Sequence, residues 1–105
     1  MDITHAVELS LQDIQILKFL RSMWAFAYGN IKSGEGISLQ DINSVFGNSE
    51  EVLESLCKKD CISQDTLPGY NERGEPTRFR TYYIKPIGAF SLYKYENSKL
   101  DDLET

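Results

Sequence analysis

The sequence ISLQDINSVFGNSEEVLESLCKKDCI, residues 37–62, contains two short helical patterns, one directly after the other. The first pattern predicts a helix from Leu39 to Phe46, because its apolar side chains recur at helical spacing. Ser38 is suited to cap the start of this helix, with Asp41 completing a capping box. Gly47 suits the backbone conformation that ends a helix. These signals predict one short amphipathic helix with a defined end.

The second helical pattern begins immediately after Gly47. Asn48 is suited to cap it, with Glu51 three positions further on. Its apolar positions form one stripe: Leu53, Leu56, Cys57 and Cys61. Because so short a turn does not let two helices lie side by side, we expect them to cross steeply, as in a helix-turn-helix motif. Any other small helical hairpin is the alternative interpretation.

Composition places the chain among ordinary globular proteins. Its 105 residues suffice for one domain with a modest core, and 41% of them are hydrophobic. No apolar run approaches the roughly 20 residues of a membrane span. The first ten residues lack a basic region followed by an apolar stretch, so we expect no secretory signal and a cytoplasmic location.

Two cysteines, Cys57 and Cys61, are four residues apart and would share one face of the second predicted helix. A metal site would need two further ligands, and the single histidine, His5, is distant in sequence. We therefore predict small core residues and neither a metal nor another cofactor. The chain also lacks a glycine-rich phosphate loop and clustered carboxylates, so we expect no enzymatic activity.

The net charge of −5 is unevenly distributed. Residues 70–85 carry Arg73, Arg78, Arg80 and Lys85 against only two glutamates, which makes them the one clearly basic segment. Residues 38–62 and 96–105 are both acidic. Local fields, more than net charge, decide whether a surface binds phosphate, so the basic segment is a candidate for nucleic-acid contact.

The N-terminal part of the sequence predicts a loose arm or a short edge strand over residues 1–9, and then a long helix. Ser10 is suited to cap this helix, with Asp13 completing its capping box. An apolar stripe follows at spacings of three and four, and residues 23–28, MWAFAY, are apolar on nearly all sides. We expect the helix to continue through this segment until Gly29, and then a polar loop over residues 30–36.

The C-terminal part changes from helical to extended patterns. Residues 62–67 and 77–84 predict two strands, because the second is rich in β-branched, aromatic and basic residues. Between them, residues 68–76 predict a long, mobile hairpin tip. A short last helix around Phe90 and Tyr93 is expected next, and residues 96–105 are expected to form an acidic, flexible tail.

This order of helices and strands over residues 10–95 resembles the winged helix-turn-helix domains of small microbial or viral transcription regulators of the MarR and PadR types. Two segments carry the resemblance: Arg73-Gly74-Glu75-Pro76-Thr77-Arg78 with the strand Tyr82-Tyr83-Ile84, and the exit through Lys85 to Gly88. Lys85 stands where those families usually have threonine. The resemblance implies an α+β fold with a three-helix core, a two-stranded wing and a short C-terminal helix.

A winged helix binds double-stranded DNA with its third helix in the major groove and its wing on the backbone or minor groove. The candidate base-edge residues are Asn48, Ser49 and Ser55. The candidate phosphate contacts are Lys58, Lys59, Arg73, Arg78, Arg80 and Lys85. Arg78 and Arg80 would share one face of a strand, with Tyr82 beside them. The acidic third helix leaves a second hypothesis open, in which the domain contacts a protein and not DNA.

Two further expectations follow from the apolar residues. One core should bury Leu17, Leu20, Ile42, Phe46, Leu53, Leu56 and Ile84 together. The large rings that so small a core cannot absorb predict a homodimer interface, formed by Trp24, Phe26, Tyr28, Phe90 and Tyr93. Pairing through terminal helices, which is common among winged-helix regulators, is what the resemblance implies for this dimer.

Overall fold

The computed structural model describes residues 6–104 of the chain, and the side chains of residues 6–98. In this part the chain is a mixed α+β protein with four helices and two small antiparallel sheets. The elements in chain order are α1 Leu11–Ser22, β1 Ala27–Tyr28, β2 Ile31–Lys32, β3 Ile37–Ser38, α2 Leu39–Phe46, α3 Glu50–Lys58, β4 Ile62–Tyr70, β5 Pro76–Ile84 and α4 Pro86–Glu104.

The first helix of the central stretch, α2, has the bounds that its apolar spacing predicts. The hydroxyl of Ser38 accepts a hydrogen bond from the backbone N–H of Asp41 at 3.1 Å. Gly47 ends the helix with a φ of +81°, a backbone conformation that costs glycine little because it has no Cβ. The predicted bounds of α2 are therefore confirmed, with the Ser38 half of the predicted capping box formed.

The second helix, α3, begins and ends at other residues than predicted. Its N-cap is Ser49, and the side chain of Asn48 accepts only a long bond of 3.4 Å from the N–H of Glu50. The helix stops at Lys58, after which Asp60 adopts a φ of +61°. Cys61 therefore lies beyond the helix, buried at the start of the hairpin, and the predicted helical pairing of the two cysteines is wrong.

The first helix, α1, is shorter than predicted. Its capping box is complete, since the Ser10 hydroxyl accepts from the Asp13 N–H while the Asp13 carboxylate accepts from the Ser10 N–H. The helix ends at Ser22 and not near residue 28. The carbonyl of Ala25 instead accepts a hydrogen bond of 2.7 Å from the N–H of Ile84, so residues 25–28 are extended beside β5. This partner strand, distant in sequence, supplies the backbone bonds that a longer helix would have used.

The larger sheet has the strand order β3-β5-β4. Strands β4 and β5 pair from Ile62↔Ile84 at the base to Tyr70↔Pro76 at the tip, so the hairpin arms are longer, and the tip shorter, than predicted. β3 adds two pairs at the other edge of β5, Ile37↔Tyr82 and Ser38↔Thr81. The local sequence does not predict β3, because two residues are too few to show an alternating pattern.

One buried core joins the helices to the base of the hairpin. All the residues expected there are buried except Phe46, which packs against the cluster while partly exposed. From the long hairpin, only Ile62, Tyr82 and Ile84 belong to the core. The rest of the hairpin is therefore held mainly by its own strand ladder, and Arg78, Phe79 and Arg80 lie beside the start of α2.

The last helix, α4, continues through the segment predicted as a flexible tail. It starts close against the hairpin base, because a Cβ on Gly88 would lie 2.2 Å from the Cys61 carbonyl oxygen. Glu96 forms a bidentate ion pair with Arg21 of α1, with N–O distances of 2.7 and 2.9 Å. No helix in the described part of the chain is long and apolar enough to cross a membrane.

The predicted arm, residues 1–9, lies partly outside the described residues, which begin at residue 6. Residues 6–9 of the arm contact the rest of the domain: the Val7 N–H donates a hydrogen bond of 2.9 Å to the Ser91 hydroxyl of α4. Val7 and Leu9 also pack against the core while partly buried.

Candidate functional site

The arginines of β5 lie on one exposed face of the β4–β5 hairpin. Arg78 pairs in register with Pro68, and Arg80 with Thr66, so both arginine side chains leave the sheet on the same side. This is the arrangement that strand alternation predicts. Tyr82 follows on the same face but is only 2% exposed, inside the core. Tyr82 therefore lies beside Arg80 as predicted, but its ring is buried and not open to a ligand.

The hairpin tip holds Arg73 in a compact turn. The side-chain oxygen of Asn71 accepts hydrogen bonds of 2.9 Å from the backbone N–H groups of Arg73 and Glu75. Gly74 supplies the positive φ of +77° that the turn needs. Among the residues whose side chains are described, neither Arg73 nor Arg78 has a carboxylate within ion-pair distance. Both guanidinium groups are therefore exposed and available to a ligand.

A groove runs between the start of α2 and the arginine face of the hairpin. Its volume is about 390 Å³, and its lining residues are Ser38, Leu39, Gln40, Asn43, Arg78, Phe79 and Arg80. The N-terminal end of a helix carries a partial positive charge, which adds to that of the two guanidinium groups. The groove therefore brings together the conditions for holding an anion on a protein whose net charge is −5.

Gln40 and Asn43 are site residues that the sequence analysis missed. Gln40 is exposed, and Asn43 accepts a hydrogen bond of 3.0 Å from the Ser49 N–H through its Oδ1. Among the side chains that the structure describes, none accepts a hydrogen bond from the Nδ2 group of Asn43, so this group can donate to a ligand. Their position on the polar side of α2 was visible in the sequence, but the neighbouring arginines come from a strand at least 35 residues away, so nothing local linked them.

The start of α3 differs in charge from the groove. Glu50, Glu51 and Glu54 are all exposed there. A carboxylate oxygen of Glu50 lies 3.5 Å from a guanidinium nitrogen of Arg80, so this acid is partly neutralised by the hairpin. Like charges facing a phosphate backbone oppose binding, so most of α3 contributes repulsion unless its acids are paired.

The predicted base-edge residues on α3 have different environments. Asn48 is exposed and Ser55 is half-buried. Ser49 is only 2% exposed, and its hydroxyl donates to the Gly47 carbonyl at 3.0 Å. The sequence-based assignment of Ser49 to DNA is corrected, because its position as N-cap, beneath the turn between the two helices, takes its side chain off the surface.

The predicted lysine contacts are mostly engaged within the protein. Lys59 lies 2.8 Å from the carboxylate of the buried Asp13, and Lys85 pairs with Asp60 at the base of the hairpin. Each of these ammonium groups therefore has a carboxylate partner within the protein, which reduces the charge that it can offer to a phosphate, and their contact with DNA stays a prediction. Lys58 remains exposed and has only a 3.5 Å contact with Glu54 one turn earlier.

The cysteines do not form a reactive site. Both are free thiols. Burial raises the pKa of Cys61 to about 11, and burial likewise raises the pKa of Cys57. A thiol with a raised pKa is protonated at neutral pH and is a poor nucleophile.

The residues predicted to form a homodimer interface do not lie on one helical surface. Trp24 and Tyr28 are largely exposed, but neither lies on a helix. Trp24 lies just before the β1–β2 hairpin, and Tyr28 belongs to β1. Phe26 is half-buried, as is Phe90 on α4, while Tyr93 is exposed.

Comparison of the chain with family models, with curated proteins and with solved structures finds no significant match.

Proposed function

We propose that this protein is a winged helix-turn-helix domain that binds double-stranded DNA and regulates transcription. In this proposal the β4–β5 hairpin is the wing and α3 is the helix directed to the major groove. The order of elements supports it: α2 and α3 are joined by a turn of three residues, and the hairpin follows directly. The unpredicted strand β3 supports it too, because it attaches the hairpin to the start of α2.

The single observation that carries the proposal is the groove between α2 and β5. Arg78 is exposed and unpaired there, and Arg80 shares its charge only with an exposed glutamate at 3.5 Å. Guanidinium groups bind phosphate through paired hydrogen bonds, and phosphate contact supplies the sequence-independent part of DNA affinity. Gln40 and Asn43 add neutral donors to the same groove, so Arg78 and Arg80 are each expected to contact a backbone phosphate there.

α3 is expected to orient the complex more than to stabilise it. Asn48 lies exposed just before this helix, and Ser55 and Lys58 are at least partly accessible on it. An asparagine amide matches the edge of adenine, and a serine hydroxyl can pair with any base. The exposed glutamates beside them reduce the net attraction to phosphate, so sequence preference, if present, rests on few contacts.

The test is fluorescence anisotropy with a duplex of random sequence, measured at several salt concentrations. The double variant Arg78→Ala/Arg80→Ala should bind every duplex more weakly, by roughly 10- to 100-fold at low salt. The slope of log affinity against log salt should fall by about two units, because two phosphate contacts are lost. The matched control is Lys18→Ala/Lys94→Ala, which removes the same charge from α1 and α4 and should leave the slope within a few tenths of the parent value.

Two results would contradict the proposal. If the double arginine variant binds duplex DNA as well as the parent, the wing is not the contact surface. If the parent does not bind duplex DNA even at low salt, the domain does not bind DNA through phosphate contacts at all.

The second candidate function is a winged-helix module that contacts a protein. The exposed glutamates at the start of α3 favour it, because they suit a basic partner surface better than a phosphate backbone. Failure of the parent protein to bind DNA at low salt would bring this candidate forward.

A further inference from the structure

The short β1–β2 hairpin presents an uncharged surface of large side chains to solvent. We name this surface the aromatic face and define it as Trp24, Phe26, Tyr28 and Ile31. Trp24 is 74% exposed, Tyr28 66% and Ile31 75%. The rings of Trp24 and Phe26 contact each other edge to face, with centroids 5.7 Å apart. Tyr28 and Ile31 are cross-strand neighbours, so the face consists of two adjacent pairs of large side chains on one short hairpin.

The register of the hairpin explains why this face lacks charge. Tyr28 pairs with Ile31, and Ala27 pairs with Lys32, so these two pairs occupy opposite faces. Ala27 is buried against the domain, and Lys32 forms an ion pair of 2.5 Å with Asp65 of β4. The inner face is thus used for attachment to the domain, and only apolar and aromatic side chains are left on the outer face.

Trp24 has an uncommon backbone conformation for so large a residue. Its φ is +58°, in the left-handed region that glycine and asparagine adopt far more readily. Its backbone is held on both sides, since its N–H donates to the Arg21 carbonyl at 3.0 Å and its carbonyl accepts from the Ser33 hydroxyl. The chain therefore places an indole in a position where folding alone would favour a smaller residue, and strain of this kind clusters at functional sites.

The area of the aromatic face is close to the area that each partner must bury in a symmetric dimer. Trp and Tyr side chains offer about 150–250 Å² each, so the exposed parts of Trp24, Tyr28 and Ile31 sum to roughly 450 Å². Two such faces pressed together would remove about 900 Å² from water, before adding the neighbouring Met23 and Phe26. A specific interface needs about 1,000 Å² in total.

We propose that a second copy of this chain covers the aromatic face, in a two-fold symmetric dimer. A two-fold interface uses the same surface on both partners, and an uncharged apolar face is complementary to itself. A partner selected by charge would engage the acidic surfaces of this protein of net charge −5, which lie elsewhere. The interface differs from the one that the sequence predicts, because it uses a β-hairpin and leaves Phe90 and Tyr93 of α4 outside.

The dimer can be tested without DNA, so it stands independently of the proposed DNA binding. The protein contains one tryptophan, and this residue lies on the proposed interface. Sedimentation velocity over a range of protein concentrations should show a monomer converting to a dimer. The emission maximum of Trp24 should shift to shorter wavelength in step with the dimer fraction, because the exposed indole leaves water.

Two variants and one matched control locate the interface. Trp24→Asn should raise the dimer dissociation constant at least tenfold, since central aromatic residues dominate interfaces. Asparagine tolerates the positive φ, so the monomer should fold with an unchanged circular dichroism spectrum. Ile31→Lys should have the same effect through charge repulsion across the two-fold axis. Tyr93→Gln removes a similarly exposed ring from α4 and should change the dissociation constant less than twofold.

Several results would overturn the proposal. The first is a monomer at every concentration. The second is association without a change in Trp24 emission, and the third is loss of the dimer in Tyr93→Gln but not in Trp24→Asn. A blue shift caused by phosphatidylcholine vesicles, with the protein still monomeric in solution, would assign the aromatic face to a lipid surface instead.

Discussion

The β4–β5 hairpin and the β1–β2 hairpin meet at the same residue and differ in almost every other respect. Ile84, at the base of the long hairpin, pairs with Ile62 and also bridges to Phe26 beside the short one. The long hairpin has nine residues in each strand and carries exposed arginines. The short hairpin has two residues in each strand and carries an uncharged aromatic face.

The difference shows that strand length limits which side chains a hairpin can expose to solvent. Nine cross-strand pairs give β4–β5 a ladder of its own, so its outer half needs little core and can carry polar, charged side chains. A hairpin as short as β1–β2 is not stable in water by itself. It is held by buried Ala25 and Ala27 and by backbone bonds to β5, which leaves its other face open.

The largest effect is expected at Ile84, where both hairpins join the core. Ile84→Ala should lower the free energy of unfolding by about 2–5 kcal/mol, because the side chain is 1% exposed and its removal leaves a cavity. Urea denaturation followed by circular dichroism measures this. The matched control is Ile31→Ala, the same change at an exposed position, which should cost less than about 0.5 kcal/mol when the protein is dilute. Similar losses in both variants would mean that Ile84 is not a shared anchor.

A smaller effect is expected at Glu50, the acid that faces the long hairpin. Glu50→Gln should raise affinity for a random duplex by roughly 3- to 10-fold at low salt, because it frees Arg80 and removes a charge that repels phosphate. Anisotropy measures the change. Glu35→Gln is the control, since this exposed glutamate lies in the loop that contacts Tyr83, on the opposite face of the sheet. An equal rise in both variants would show that only net charge matters, and would count against the groove.

The smallest effect is expected at the ion pair between the two hairpins. The hydrogen bond from Lys32, and then that from the Thr66 N–H, hold the pKa of Asp65 below its usual value. A carboxylate whose pKa is lower in the folded state stabilises the fold above its unfolded pKa, and this contribution is lost as pH falls through the folded pKa.

The parent should therefore unfold at a higher temperature than Asp65→Asn at neutral pH. The difference in unfolding temperature between the two proteins should disappear as pH is lowered from about 5 to about 2, as thermal melts would show. A gap that stays constant over this range would mean that the charge of Asp65 does not connect the hairpins.

Local patterns in the chain were sufficient to predict several elements. The capping signals at Ser10 and Ser38 correctly mark the starts of α1 and α2, since each hydroxyl bonds an N–H only three residues away. The apolar spacing identified the core positions, and residue alternation placed Arg78 and Arg80 on one face. These features depend on neighbours within about one helical turn or two strand positions, so the sequence contains all the partners that define them.

Tertiary contacts decided the rest. Residues 23–28 have the apolar composition of a helix end, but residues 23–24 form a turn and the backbone of Ile84, some 60 positions later, pairs with the extended segment that follows. Lys59 and Lys85 have the sequence character of phosphate ligands, yet Lys59 pairs with the buried Asp13 and Lys85 with the partly exposed Asp60. The groove likewise depends on tertiary structure, because its two walls, α2 and β5, are brought together only in the folded protein. In each case the deciding partner is distant along the chain, and no local pattern could identify it.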